Sequence, residues 1–173
     1  MTHEYEGVVY DLDGTLVRLS VDWETVDAEL RSLLDREGVD HAALETWDLY
    51  DAAVEAGVGG EAEELVSTHE QYGAERAERL PHADELAENG HPAAVCSLNC
   101  EAACRTALDR EGLLGHVAAV VGRDSVPAKK PDPEPLLAAV EALDLPPERV
   151  LFVGDSESDA VTAERAGTGF RYV

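Results

Sequence analysis

The sequence predicts an α/β fold: a doubly wound, five-stranded parallel sheet with a small α-helical insertion. Three observations point to it. Five short apolar runs are spaced along the chain. Helical patterns separate the later runs, and a long helical stretch from Arg18 to Leu80 follows the first. Continuous apolar runs suit strands covered on both faces, and strands alternating with helices favour right-handed parallel crossovers.

In chain order, the first run is Gly7 to Tyr10 (GVVY). The stretch after it is too long for a loop within a compact domain. It reads instead as helices over Trp23 to Glu37, His41 to Glu55 and Glu61 to Arg79. Asp22, Asp40 and Gly60 are the expected starts, and Gly38 and Gly57 the expected stops. The second run, Ala93 to Cys96, leads into a helical pattern over Glu101 to Glu111. Val117 to Val121 is the third run and precedes a helical pattern over Glu134 to Leu143. Val150 to Val153 precedes the pattern over Glu157 to Ala166, and Gly169 to Val173 closes the set. Residues 1–17 and 81–173 are therefore expected to form the α/β core, with residues 18–80 as a helical cap.

Composition narrows the partners. Apolar residues make up 45% of the chain, enough for a core, while 37 acidic residues against 13 basic ones give a formal charge of −24. Such a chain repels phosphate backbones, so no nucleic-acid partner is expected. Regular apolar periodicity argues against disorder and for a folded protein with a carboxylated surface, like proteins of salt-adapted organisms. Met1 to Tyr10 lack a basic leader region, and no run reaches the roughly 18 apolar residues of a membrane span. A cytoplasmic protein with no membrane partner is the expectation. Cys96, Cys100 and Cys104 read as small buried apolar groups in a reducing compartment, because no His or further Cys completes a metal set at usual spacing.

In open α/β sheets, ligands bind beyond the carboxyl ends of the strands. Asp11, Asp13, Gly14 and Thr15 follow the first run, and Ser97 and Asn99 the second. Lys129 and Lys130, the chain's only lysines, precede Pro131. Gly154, Asp155, Ser156 and Asp159 follow the fourth run. Carboxylates gathered this closely repel one another unless a cation intervenes. Three of them around a phosphate dianion require a hard divalent ion with oxygen ligands, for which magnesium is the expected choice.

The segments DLDGTL (11–16), VCSLN (95–99), KPDP (130–133) and VGDSESD (153–159), with AERAG (163–167), resemble the ordered motifs of the haloacid dehalogenase-like superfamily. The insertion after the first motif is similar to the small helical cap of the phosphoglycolate phosphatase-like subfamily. The resemblance implies a Rossmann-like core and a magnesium-dependent phosphatase acting on a small organic phosphate monoester. Under it, Asp11 is the nucleophile that becomes an aspartyl phosphate, and Asp13 is the general acid and then the general base. Asp11, Asp155 and the backbone carbonyl of Asp13 bind Mg2+. Ser97 donates to a phosphate oxygen with backbone N–H groups near Leu12, Leu98 and Asn99, and Lys130 neutralises the phosphoryl group. Asp159 orients metal-bound water or Lys130. The side chain of Asn99 is open between a phosphate contact and a helix N-cap, and Arg18 between a substrate contact and a surface ion pair.

A carboxylic acid at position 13 departs from the dehalogenases and favours phosphoryl chemistry. A cap without lysine excludes the Schiff-base phosphonate-cleaving branch. Trp23, Trp47, Tyr50 and Tyr72 read as helix packing, with lining of the substrate entrance as the alternative. His69, His82 and His91 read as surface residues. Two other functions use the same residues: a phosphotransferase or phosphomutase sharing the intermediate, and a non-catalytic phosphate-responsive module.

Overall fold

The computed structural model describes residues 5–173, so the part of the leader and core readings that falls on residues 1–4 lies outside the described residues. All five expected strands form: β1 (Gly7–Tyr10), β4 (Ala93–Cys96), β5 (Val120–Val121), β6 (Val150–Gly154) and β7 (Gly169–Tyr172). They pair in parallel in the order β5-β4-β1-β6-β7, which puts β1 at the centre. The third run yields only a two-residue strand. Its first residues follow a short 3-10 turn at Leu114–His116, and Ala118 and Ala119 reach β4 through single backbone bonds to Ala93 and Val95.

Side chains alternate across the sheet as strand geometry requires. Val8 and Tyr10 of β1 enter one apolar cluster with Ala103, Ala107 and Leu108 of α5 (Glu101–Arg110). Val9 enters the opposite cluster, with Leu136 and Val140 of α6 (Glu134–Glu141) and Ala163 of α7 (Glu157–Ala166). Burying each large apolar side chain contributes ~1.5–3 kcal/mol, so continuous apolar strands are the expected solution for a two-sided core.

The insertion folds as α1 (Trp23–Arg36), α2 (Thr46–Glu55) and α3 (Gly59–Ala74), sharing an apolar cluster of their own around Leu30, Leu34, Leu49 and Val66. Asp22 caps α1 through the Thr25 N–H, as expected. The second helix starts at Thr46 rather than near His41, because residues 41–45 turn first and Glu45 takes the N-cap position in place of Asp40. The third begins with Gly59 after Val58, and it stops at Ala74, short of Arg79. Glu78–Arg79 instead forms β3, antiparallel to β2 (Val17–Arg18), a ribbon that period-3.6 reading of this segment missed. A further helix, α4 (His82–Glu88), lies between the ribbon and β4. No described helix is long and apolar enough to cross a membrane.

Candidate active site

The loops after β1, β4 and β6, together with the Lys130 loop, converge at the carboxyl edge of the sheet. Asp11 leaves β1 and is buried. Lys130 reaches it from the segment before α6: its Nζ donates to Asp11 Oδ1 at 3.0 Å, to Asp159 Oδ1 at 2.6 Å and to the Cys96 carbonyl at 3.3 Å. An ammonium carries three donors, and all three are used. Burial works against the Lys130 charge, but Asp11 and Asp159 more than offset it and hold the lysine protonated above its ordinary range. Burial also pushes Asp11 up to about 7, against the pull of Lys130.

Asp159 is fully buried at the third position of α7. Its Oδ2 accepts from the Ser156 hydroxyl at 2.8 Å and the Ser156 N–H at 3.2 Å, while Ser156 Oγ accepts from the Asp159 N–H. One carboxylate therefore closes a capping box and grips Lys130. Asp155, between β6 and α7, is raised by burial and by the charge of Asp159. Asp13 is raised by burial and by Asp155, while the Leu19 N–H, 2.9 Å from its Oδ1, works the other way.

After β4, Ser97 Oγ donates to Asn99 Oδ1 at 3.0 Å and accepts from the Asn99 N–H at 3.1 Å. The N-cap reading of Asn99 is thereby corrected. Cys100 holds the N-cap position of α5, and tertiary carboxylates replace a local cap. Glu70 takes the Cys100 N–H at 2.9 Å and Asp124 the Glu101 N–H at 2.7 Å. Asp11, Asp13, Ser97, Leu98, Asn99, Lys130 and Asp155 line one cavity of about 260 Å³, and Asp159 lies behind it.

This arrangement has counterparts. Residues 54–173 match the family profile described as haloacid dehalogenase-like hydrolase. A phosphoglycolate phosphatase of Cereibacter sphaeroides (strain ATCC 17025) is 34% identical over 95% of this chain and 83% of its own length. The chain belongs to the haloacid dehalogenase-like hydrolase family. Two crystal structures share the fold of this hydrolase. A HAD-superfamily hydrolase of subfamily IA from Geobacter sulfurreducens has a TM-score of 0.61 at 24% identity, covering 96% of this chain and 88% of that one. CbbY from Rhodobacter sphaeroides, solved in complex with phosphate, has a TM-score of 0.65 at 20% identity, covering 97% and 85%.

The acidic residues of this hydrolase suit a hard divalent cation. Asp11, Asp155 and Asp159 each offer a carboxylate oxygen, all within 4.8 Å of one another, and three carboxylates around one ammonium leave negative charge in excess. Gly14 makes room for this cluster. Its φ is +85°, and a Cβ there would sit 2.1 Å from Asp155 Oδ2. Asp159 lies nearer the other carboxylates than an outer-layer role requires, but both its oxygens are already engaged by Lys130 and Ser156.

Trp23 and Trp47 pack against the helical cluster and also line the cavity, with ring centroids 6.0 Å apart, so for these two packing and the alternative of lining both hold. Tyr50 packs edge-on against Trp47, and exposed Tyr72 lies under the Arg76 guanidinium at 3.7 Å. Lys129 pairs with Asp51 of α2 and Arg18 is exposed. His69 pairs with Glu29 and His82 with Glu85, consistent with surface positions. The three cysteines are free and buried. Buried Arg123 and Glu70, with half-buried Glu63, form an ion cluster beside the Ser97 loop that sequence reading did not single out.

Proposed function

We propose that this hydrolase is a magnesium-dependent phosphatase that cleaves a small organic phosphate monoester through an aspartyl phosphate on Asp11. The observation that carries this is the contact of one buried ammonium, Lys130, with both Asp11 and Asp159 at the mouth of the Ser97 loop. A carboxylate so held can attack phosphorus while the same ammonium absorbs charge moving onto the phosphoryl oxygens.

Asp11 and Asp155, with the Asp13 backbone carbonyl, are the groups that would hold Mg2+, which when bound supplies charge neutralisation between the carboxylates and the phosphate. Asp13 protonates the leaving oxygen and then accepts a proton from the water that cleaves the acyl phosphate. Its raised pKa, caused first by burial, favours the protonated starting state. Ser97 turns its hydroxyl to a phosphoryl oxygen, aided by the N–H groups of Leu12 and Leu98. Asp159 keeps Lys130 aimed at Asp11. Residues 18–80 act as a cap, and Trp23 and Trp47 close over the leaving group and limit its size.

The Cereibacter sphaeroides relative makes 2-phosphoglycolate the first substrate to assay. The decisive experiment combines phosphate release from p-nitrophenyl phosphate and phosphoglycolate, across Mg2+ and salt concentrations, with an acid quench of radiolabelled substrate. Metal-dependent release with label trapped on wild-type protein, and neither in Asp11→Asn, is the expected result. No release under any metal or salt condition overturns the reading.

A further inference from the structure

We propose that Glu70, on helix α3 of the inserted segment, is a positioning residue that sets the direction of the Ser97 hydroxyl through the amide of Asn99. The proposal rests on the phosphatase reading, in which Ser97 holds a phosphoryl oxygen. It adds a residue from outside the sheet and outside every sequence motif.

Glu70 is 0% exposed, and a buried carboxylate must be paired and hydrogen-bonded to be tolerated. Its cation is Arg123, from the turn after β5, whose side chain is 2% exposed and contacts both Glu70 oxygens at 2.8 and 3.1 Å. Burial lowers the Arg123 pKa, but the bonds to Glu63 and Glu70 outweigh it, so the guanidinium stays charged. A cap-to-core ion pair needs no more than this. Glu70 does more: its Oε1 accepts from Asn99 Nδ2 at 3.2 Å and its Oε2 from the Cys100 N–H at 2.9 Å, while Arg123 Nη1 also donates to the Leu98 carbonyl at 2.8 Å.

An ionised carboxylate only accepts, so it takes the amide NH2 of Asn99 and turns the amide oxygen toward Ser97. Facing an acceptor, Ser97 must donate, and the N–H of Asn99 fixes the hydroxyl from the other side, so its one proton is held on Asn99 and reaches a phosphoryl oxygen only by leaving that amide. The order runs from α3 to the serine: Arg123, Glu70, Asn99, Ser97. Glu63 separates docking from aiming. It binds the same guanidinium at 2.9 Å through both oxygens, yet has no bond to the Ser97 loop.

The test is a set of double-mutant cycles read by calorimetric binding of inorganic phosphate with Mg2+, and by KM and kcat on p-nitrophenyl phosphate. Glu70→Gln allows Asn99 to reverse and present its NH2, which releases the single Ser97 O–H for a phosphoryl oxygen, and is expected to tighten phosphate binding about tenfold and to lower KM more than it changes kcat. In a Ser97→Ala background the same substitution is expected to change binding less than about twofold. Glu63→Gln is expected to give equal factors in the wild-type and Ser97→Ala backgrounds. A loss of binding from Glu70→Gln, an equal change in both backgrounds, or no change in either, overturns the proposal. If Glu70→Gln does not fold, Asn99→Ala, which keeps the Arg123–Glu70 pair, enters the same cycle with the same expected coupling. Wild-type protein that binds phosphate without turning over any ester would instead sink the phosphatase reading, because the binding cycle does not depend on turnover.

Discussion

Lys130 Nζ donates to Asp159 Oδ1 at 2.6 Å, and both side chains are buried. Asp159 also caps α7, so one carboxylate serves a cation and a helix end. Breaking such a pair leaves a buried charge uncompensated, which costs ~3–5 kcal/mol. Lys130→Met is therefore expected to abolish activity and to lower the urea midpoint, because it leaves Asp11 and Asp159 facing each other. Asp159→Asn keeps part of the cap and leaves Lys130 paired with Asp11. A milder loss, about 1–2 kcal/mol, is expected in the same urea titration.

The two carboxyls of the first motif should separate kinetically. Asp11→Asn is expected to remove turnover while the circular dichroism spectrum is retained. Asp13→Asn is expected to slow turnover by about 10²–10⁴-fold, the range for a lost general acid–base group. Unchanged rates in the Asp13 variant would remove that residue from the reaction.

Metal should stabilise the fold through Asp155, which is exposed and whose loss does not open the core. At a hundred times its dissociation constant, Mg2+ is expected to add about 2.7 kcal/mol of stability. Asp155→Ala should abolish this increment in thermal melts with and without chelator. Gly14→Ala should weaken it, since the new methyl collides with Asp155.

Acid should act through Glu63. Burial would raise its pKa, but bonds from Arg123, Ser67 and Tyr50 hold it down at about 2, against 4.5 for a free glutamate. A depressed carboxylate contributes stability that is present above about pH 4.5 and lost as pH falls toward 2. Allowing for the partial exposure of Glu63, the contribution is about 1–2 kcal/mol. Urea unfolding at a series of pH values should show wild type exceeding Glu63→Gln by that amount at neutral pH, with the gap closing in acid.

Salt should matter because the surface carries a large carboxylate excess. Screening shortens from about 10 Å at 0.1 M to about 3 Å at 1 M, so the urea midpoint is expected to rise with sodium chloride. A midpoint independent of salt would count against the salt-adapted reading.

The central elements were legible because each has a local signature. The run GVVY from Gly7 to Tyr10, which Asp11 follows, and the pattern from Glu157 to Ala166 both came out to the residue. The Asp11, Lys130 and Asp155 convergence was readable because chemistry restricts which residues can stand there. What sequence hid were long-range pairings. Val17–Arg18 and Glu78–Arg79 are each two residues long and find each other across the whole insertion, so neither shows a period. The role of Asn99 depended on Glu70, which is remote in the chain. One signal was present: Glu70 falls on the apolar stripe of α3, four residues after Val66 and three before Gly73. A charge on a buried stripe calls for a partner, and Arg123 supplies it.

The ribbon of Val17–Arg18 against Glu78–Arg79 brings the two ends of the insertion side by side. Everything between Leu19 and Ala77 therefore leaves and rejoins the molecule through a single doorway, and the parallel sheet keeps its register without reference to what lies beyond it. A graft of different length or shape at this doorway is therefore expected to alter which esters are admitted, and to leave the catalytic floor intact only where it returns a carboxylate to the place of Glu70 against Arg123 and the Ser97 loop.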